Sequence, residues 1–511
     1  MFNEPFLLQL LVGILLGAKN IEQTKALNFS SLRAMLDDTV KSARLQRDKL
    51  RKLAKTELID KLMAFNIELV KTRTDGDFYY DPHTKHYCGM RKILKGWCAK
   101  VRMASKVLNM DFIHNSKGYP VYFNIVDNYD DLRVRFFKEI KKFRQLACFP
   151  ADKVLTFTVD RGIFSAKVFS MVIHDALTHL ITWEKGYKKS RWDDSFPSKQ
   201  GAIQRKRNRS GDNKKLVKYR YQTMRWDKDP SVAQIIVRID SPSKGREIEV
   251  SILTDDLLRP ADIIIFLMFN RWIQENDFKY IIEHFGIDQI TSYRYDNYDD
   301  IKEAIEDKEA ISGMYKSLTK LIDSIRGKLK TVLLKKHKLE KKYGLDTSKW
   351  PKEKKEGKKG IPSLINELSE ELLKKEQERE LISKEVSKID ELIGQGTQKL
   401  NTQSKKLMDV VKIIARNIFF LCFEEFRKEY DDFRDDHVIF RNITRAAGIM
   451  QDKGGYIRVN LMPEMELTPK TIKTLEVILE QINKEAPKML DCSGKNILLE
   501  CKKEKLPLLV F

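Results

Sequence analysis

Val154-Leu155-Thr156-Phe157-Thr158-Val159-Asp160-Arg161-Gly162 decides how this chain is read. Six strand-forming residues broken at Asp-Arg-Gly predict a buried strand that stops at a sharp turn. A helix around 164–173 and a second strand, Leu180-Ile181-Thr182-Trp183, follow it. Upstream, Phe78-Tyr79-Tyr80 leads into Asp81, Val121 to Val126 reads as another strand, and Leu132 to Leu146 as a basic amphipathic helix. Strands alternating with helices predict an α/β core.

Working outward, the rhythm breaks over 186–230. This stretch is the most basic of the chain, with Arg205-Lys206-Arg207-Asn208-Arg209 set among Tyr187, Trp192, Phe196, Tyr219, Tyr221 and Trp226. Strands resume at 218–224, 233–239 and 248–253, so a small antiparallel insertion occupies about 186–255. One long helix then runs from Pro260, which suits a first helical turn, to Gly286, which suits the residue just past a helix end. Its first half, Ile263 to Phe269, is apolar on all sides and predicts burial. Its second half sets Arg271, Glu275 and Lys279 in line at i, i+4 spacing, which taken alone is an ion-pair ladder on a solvated face.

The flanks read as helical. Residues 1–74 precede the core, with an apolar run from Phe6 to Gly17 too short to span a membrane and without the positive start of a signal peptide. Beyond 295, Ile311 to Leu339 and Leu368 to Ile393 advance by threes and fours, joined by a charged turn at 352–360. This predicts a helical hairpin over 296–405, read as a structural or dimerising arm. The last region, 406–511, mixes helix and strand, with Leu407 to Phe426 and Thr468 to Ile482 as helices and Gly455 to Leu461 as a strand.

Lysine and arginine exceed aspartate and glutamate by 95 to 73, a formal net charge of +22, which points to a polyanionic partner, nucleic acid before an acidic membrane surface. The six cysteines are scattered without a Cys-x-x-Cys pair, which argues against a zinc site or a disulfide framework and fits a reducing cytoplasm. His83 and His86 lack further ligands nearby and read as exposed loop residues.

Three acidic residues stand where an α/β sheet gathers ligands: Asp81 after one strand, Asp160 at the end of another, and Glu275 on the long helix. Oxygen ligands of this kind suit hard divalent cations. Asp127, at the end of its own strand, competes with Asp81 for the first position.

The line Arg271-x-x-x-Glu275 within Arg-Trp-x-Gln-Glu-Asn-x-Phe-Lys resembles the C-terminal signature, Tyr-x2-Arg-x3-Glu-x6-Lys, of the DDE transposases of bacterial insertion sequences. Thr158-Val159-Asp160-Arg161-Gly162 resembles that group's second-aspartate motif. Tyr80-Asp81-x-His83, followed by Tyr87-x-Gly89, resembles its first-aspartate region. Met268 stands at the motif's Tyr position and Ile282 at its Lys position, with Lys279 one helical turn after Glu275 as a substitute.

The resemblance implies a ribonuclease-H-like catalytic domain over 75–295 carrying the β insertion. It implies Asp81, Asp160 and Glu275 as catalytic residues that hold two Mg²⁺ ions, with Mn²⁺ able to substitute. Arg271 and Lys279 would contact DNA, as would Arg161; the run Arg205, Lys206, Arg207 and Arg209 reads from its own residues either as a solvated loop or, favoured beside such a triad, as a track for DNA phosphates with aromatic residues available to stack on an unpaired base. The partners implied are double-stranded DNA, as transposon ends and target, and a second copy in a homodimer that pairs two ends. The setting implied is a bacterial or archaeal cytoplasm, at the nucleoid. Two other functions stand beside transposition: an inactive or recruited transposase copy that only binds DNA, raised by the short region ahead of Asp81, and a structure-specific nuclease on the same core.

Overall fold

The computed structural model describes residues 5–501 except 28–31, 34–35, 37–39, 55–56, 99–102, 127–130, 189, 208–213, 242–245, 293, 298–308, 347–349, 351–359, 388–395, 431, 433–434, 464–466 and 489–493. Asp127, Arg209, Ile389, Ile393 and the charged turn at 352–359 lie outside the described residues. The described residues fall into two compact units, one made of 88–94 with 294–401, the other of the remainder.

In the larger unit the strands β1 (Asp77–His86), β2 (Lys95–Cys98), β3 (Met103–Asn115), β4 (Pro120–Val126), β5 (Leu155–Val159), β6 (Thr178–Trp183), β7 (Lys199–Arg207), β8 (Lys214–Trp226), β9 (Asp229–Ser241) and β10 (Arg246–Thr254) form one mixed sheet. Its order is β4-β3-β1-β5-β6-β10-β9-β8-β7, with β2 on the first half of β3. β1, β5 and β6 run parallel and the remaining pairings are antiparallel. The insertion is therefore an extension of the main sheet: β10 pairs with β6 through Ile252 opposite Trp183. Strand β3 went unpredicted because Lys106, Asn109, Asp111 and His114 interrupt its apolar pattern. Within the fold Asp111 is fully buried against Arg135 at 3.3 Å.

Strand alternation divides the core in two. Phe78 and Tyr80 point to one face, where they meet Phe143 and Phe136 of helix α4 (Leu132–Ala147) at ring distances of 5.1 and 5.0 Å. That face shares its core with α1 (Pro5–Leu15), α3 (Leu58–Leu69) and α10 (Gln403–Glu429). Tyr79 points to the other face and packs with Ile264, Ile265 and Met268 of α6 (Ala261–Asn270). The long helix of the sequence reading is this α6, then α7 (Trp272–Tyr280) after a break at Arg271, and a π-helical turn, Ile281–Phe285. Gly286 closes it with φ 61°, a left-handed value that few other residues adopt. Ile263 and Phe266 are 42% and 52% exposed, so the first half of that helix is buried on one side only.

Helix α10 is a second anchor. Val410, Val411, Ile413 and Ile414 are wholly buried, and Lys405, Asp409 and Lys412 are buried with them. Lys412 Nζ donates to the Gly286 carbonyl at 2.7 Å and Lys405 Nζ to that of Ile287 at 2.6 Å, with Asp409 accepting from both ammoniums. Cations at the carbonyl end of a helix meet its negative pole.

The smaller unit holds the hairpin: α8 (Gly313–Tyr343) packs on α9 (Ile361–Glu380), with short antiparallel pairs Tyr295–Asn297 on Gln398–Leu400 and Glu309–Ile311 on Glu385–Ser387. The predicted second helix is shorter than its pattern, because the chain leaves α9 after Glu380 and Val386 joins a strand. Among the described residues no helix is long and apolar enough to cross a membrane.

Tyr280, at the end of α7, lies between His284 and His437, with ring distances of 4.5 and 5.6 Å. Burial pushes both imidazoles down to about 4, and nearby guanidinium groups, Arg441 for His284 and Arg427 then Arg441 for His437, push the same way. The unfolded chain, with imidazoles titrating near 6.5, then binds more protons than the folded one between those values. The stability they contribute is complete above pH 6.5 and is lost as pH falls toward 4. The thermal midpoint is expected to fall across that interval, and to fall less in His437→Phe, which keeps the stack on Phe423; scanning calorimetry reads both.

Candidate active site

The sheet's period of two decides which carboxylates meet. Tyr79 pairs with Thr158 and Tyr80 with Val159, so Asp81 and Asp160 are the next residues along two neighbouring parallel strands. Both share the face of Tyr79 and Thr158, the face covered by α6. Asp81 lies inside β1, opposite Phe112 of β3, whereas Asp160 has left β5 and its carbonyl accepts from the Ile163 amide at 3.1 Å. β1 thus continues past Asp81, a correction to the expectation that a strand ends there.

Glu275 reaches the same place from α7. Burial pushes the Asp81 carboxyl up to about 7; Arg271 pulls it down, and the carboxylates of Asp160 and Glu275, then Asp111, push it up again. Asp160, Glu275 and Arg271, from the end of β5 and from the α6–α7 segment, are therefore near enough to Asp81 of β1 for their charges to be felt there. Glu275, 48% exposed, is held by Arg271 at 2.7 Å. Among the described residues no three His, Cys, Asp or Glu side chains are gathered closely enough to hold a metal ion.

What fixes α7 over the sheet is a buried chain of polar groups that the sequence reading did not find. The Gln274 amide donates to Nδ1 of His114 at 2.9 Å and to the Tyr79 carbonyl at 3.4 Å. His114 is fully buried, and burial pushes its imidazole down despite Asp277 beside it. The neutral ring accepts from Gln274 on Nδ1 and so donates from Nε2 to Asp277 at 2.9 Å. Asp277 in turn accepts from Nε and Nη2 of Arg416 on α10 at 2.8 and 2.5 Å. Arg416 also donates to the Gly118 carbonyl in the β3–β4 turn at 3.0 Å. Gly118 itself has φ 86°, and a Cβ there would sit 2.4 Å from Ile273 of α7, so only glycine lets the helix approach this turn. Gln274 and Asp277 flank Glu275 and carried a local signal as polar residues near it. His114 and Arg416 lie more than a hundred residues away and carried none.

The other predicted contacts divide. Arg161 is exposed at the turn after Asp160, and Lys279 is exposed on α7 with no carboxylate partner among the described residues. Arg205, Lys206 and Arg207 end strand β7, whose pairing with β8 is irregular between Gln204 and Arg207. The aromatic residues of the insertion are mostly committed elsewhere. Trp226 is buried against Phe164 and Phe169, Tyr219 and Tyr221 are buried, the Tyr187 hydroxyl bonds Glu249, and Arg238 lies over Trp192 at 4.5 Å. Phe196, at 58% exposure, is the one of this set that stays open. His83 is no loop residue: it lies in β1 and stacks on Phe278 at 5.4 Å.

A family model described as "Transposase protein" matches residues 5–484, and the chain belongs to that transposase family. Among solved structures, the chain is similar to one described as a cryo-EM structure of the piggyBac transposase synaptic complex with hairpin DNA, at 10% identity and a TM-score of 0.28. That match covers 55% of this chain and 59% of the other. The curated proteins contain no match.

Truncating Arg416 leaves Asp277 buried without its counter-charge, which costs about 3–5 kcal/mol of folding stability. Arg271 pairs with a half-exposed glutamate at i, i+4, and its loss is worth within about 1 kcal/mol. Urea unfolding is expected to separate Arg416→Ala from Arg271→Ala by that margin.

Proposed function

We propose that this chain is a DDE transposase with a ribonuclease-H-like core, which binds the inverted-repeat ends of its mobile element, hydrolyses a phosphodiester there and joins the freed 3′-hydroxyl to target DNA. The observation that carries the reading is the convergence of Asp81, Asp160 and Glu275, with Arg271, on one face of the sheet. The core assignment is supported by three antiparallel strands, β4, β3 and β1, followed across the sheet by β5 and β6 parallel to β1. The long insertion before Glu275 agrees with the same reading.

The donor chemistry suits hard divalent cations, although the three carboxylates would have to draw closer together than they stand here to share them. The set is all oxygen, and the repulsion that helps hold Asp81 near 7 is the kind a cation relieves. Asp81, Asp160 and Glu275 would hold two Mg²⁺, or Mn²⁺, which when bound supply activation of the attacking hydroxyl and stabilisation of the leaving oxygen. Arg271 is poised to exchange its carboxylate partner for a phosphodiester oxygen, which frees Glu275. The His114–Asp277–Arg416 chain holds α7 so that both side chains keep their aim. Lys279, exposed one turn on, and Arg161 contact the DNA backbone on this reading. Two copies would pair two ends.

The DNA-binding copy without catalysis draws on the Arg271–Glu275 pair, which engages the third carboxylate. Nicking decides. With Mg²⁺ and DNA carrying the inverted repeats that flank the gene, Asp160→Asn and Glu275→Ala are each expected to lose more than the roughly 10–100-fold that removal of a group supporting a metal ligand costs. Wild type and Glu275→Ala nicking equally would sink the triad, and cleavage without end preference would favour a nuclease. Lys279→Ala is expected to weaken end binding in a gel-shift titration; unchanged affinity and cleavage remove it from the DNA surface.

A further inference from the structure

The charge of the hairpin is segregated between its two helices. α8 carries nine lysines and one arginine against Asp323 and Glu340, while α9 carries six glutamates against Lys374, Lys375 and Arg379. On α8, Lys328, Lys335, Lys338 and Lys342 advance by seven, three and four, one stripe of the helix, with Lys320 in line a little before them. All five are exposed, and among the described residues none of them pairs with a carboxylate. Ile322 and Ile325 of α8 are buried where α8 packs on α9, away from the stripe, while Met314, Leu321, Leu333 and Leu334 are exposed. Arg326 on α8 is tied to Glu376 on α9 at 2.6 Å, so that cation is used within the hairpin, unlike the stripe.

A row of unpaired like charges along a helix is costly by self-repulsion and gains nothing for the hairpin itself. Its length has a counterpart. From Lys320 to Lys342 the helix rises about 33 Å at 1.5 Å per residue, close to the roughly 34–36 Å of one duplex turn. An amphipathic helix that lies on lipid presents an apolar face beside its cations. On α8 the exposed apolar residues, Met314, Leu321, Leu333 and Leu334, are scattered around the helix and form no continuous face, and the stripe's own five positions are all lysine.

We infer that the lysine stripe of α8 is a rail for the phosphate backbone of duplex DNA, sequence-independent and separate from the carboxylate site. The choice of DNA over other polyanions rests on the proposed transposase function; the existence of a polyanion surface on α8 does not. The acidic α9 gives the hairpin a side: DNA is drawn to α8 and repelled from α9. In this reading the hairpin reads no sequence and adds length to the DNA contact, in place of the purely structural or dimerising arm expected from its heptads.

The test uses the full chain without divalent cation and a random-sequence 30-base-pair duplex, with affinity measured by fluorescence anisotropy from low to moderate salt. Each phosphate contact contributes about 0.9 to the slope of log affinity against log salt. Changing Lys328, Lys335, Lys338 and Lys342 together to Gln is expected to flatten that slope by about 3 or more. A control changes Lys25, Lys61, Lys71 and Lys484, exposed by 61 to 72%, and is expected to leave most of the slope in place. An unchanged slope in the stripe variant, or an equal loss in the control, overturns the rail. So does a stripe variant that loses binding to phosphatidylserine vesicles while keeping DNA affinity. If the slope falls as expected but the wild-type protein never nicks end DNA, the rail stands and the transposase reading fails. Nicking that persists with an unchanged slope gives the reverse.

Discussion

Everything about the candidate site depends on holding one short helix at one height above a sheet. α7 is nine residues long and mixed in polarity, with its two strongest buried contacts made by polar side chains, Gln274 and Asp277. A hydrophobic contact would tolerate sliding by a fraction of a turn. A histidine that must accept from one residue and donate to another three positions on does not, because both its nitrogens are directional. His114 therefore sets the register of α7 against β3, and Arg416 sets it against α10 by pairing with the Asp277 carboxylate. Burying such groups is expensive and contributes little net stability compared with an apolar replacement. Its return is geometric: Glu275, between Gln274 and Asp277 in sequence, is aimed as a consequence.

The same economy appears at the far end of the helix. Gly286 frees the chain to turn, and Lys405 and Lys412 bond the carbonyls released there, with Asp409 between them. Both anchors are on α10, Lys405 and Lys412 for the far end of the helix and Arg416 one turn after Lys412 for Asp277. A single buried helix from beyond the hairpin thus fixes both ends of the segment that carries Arg271 and Glu275. The transposase family match over residues 5–484 includes the sheet, the hairpin and α10, and within the larger unit the anchoring explains why the C-terminal helix belongs with the strands in one core.

Charge is used in two different ways. Around Asp81 it is concentrated, so that burial and the neighbouring charges of Arg271, Asp160 and Glu275 together set what that carboxyl prefers. Along α8 it is spread over tens of ångströms on a solvated surface, where single pairs are weak but a periodic row can follow a polyanion.

Much of this was legible in residue order. The strand Leu155–Val159, the break at Asp160, the helix Leu132–Ala147, the hairpin, and a helix from Pro260 to Gly286 follow from local periodicity and turn residues, which act over a few positions and need no partner. The sequence also singled out Asp81, Asp160, Glu275 and Arg271, through local motifs and a family resemblance. Strand β3 was missed because Asp111 and His114 meet their partners, Arg135, Gln274 and Asp277, only once the chain has folded. The aromatic residues of the insertion were misjudged because burial is a property of the neighbours that the sheet supplies. Only the tertiary structure decided that the insertion joins the main sheet, that Asp81 and Asp160 lie side by side on neighbouring parallel strands, and that His114 and Arg416 hold α7. Those outcomes depend on pairing register and on contacts between residues far apart in the chain, and local sequence carries no record of either.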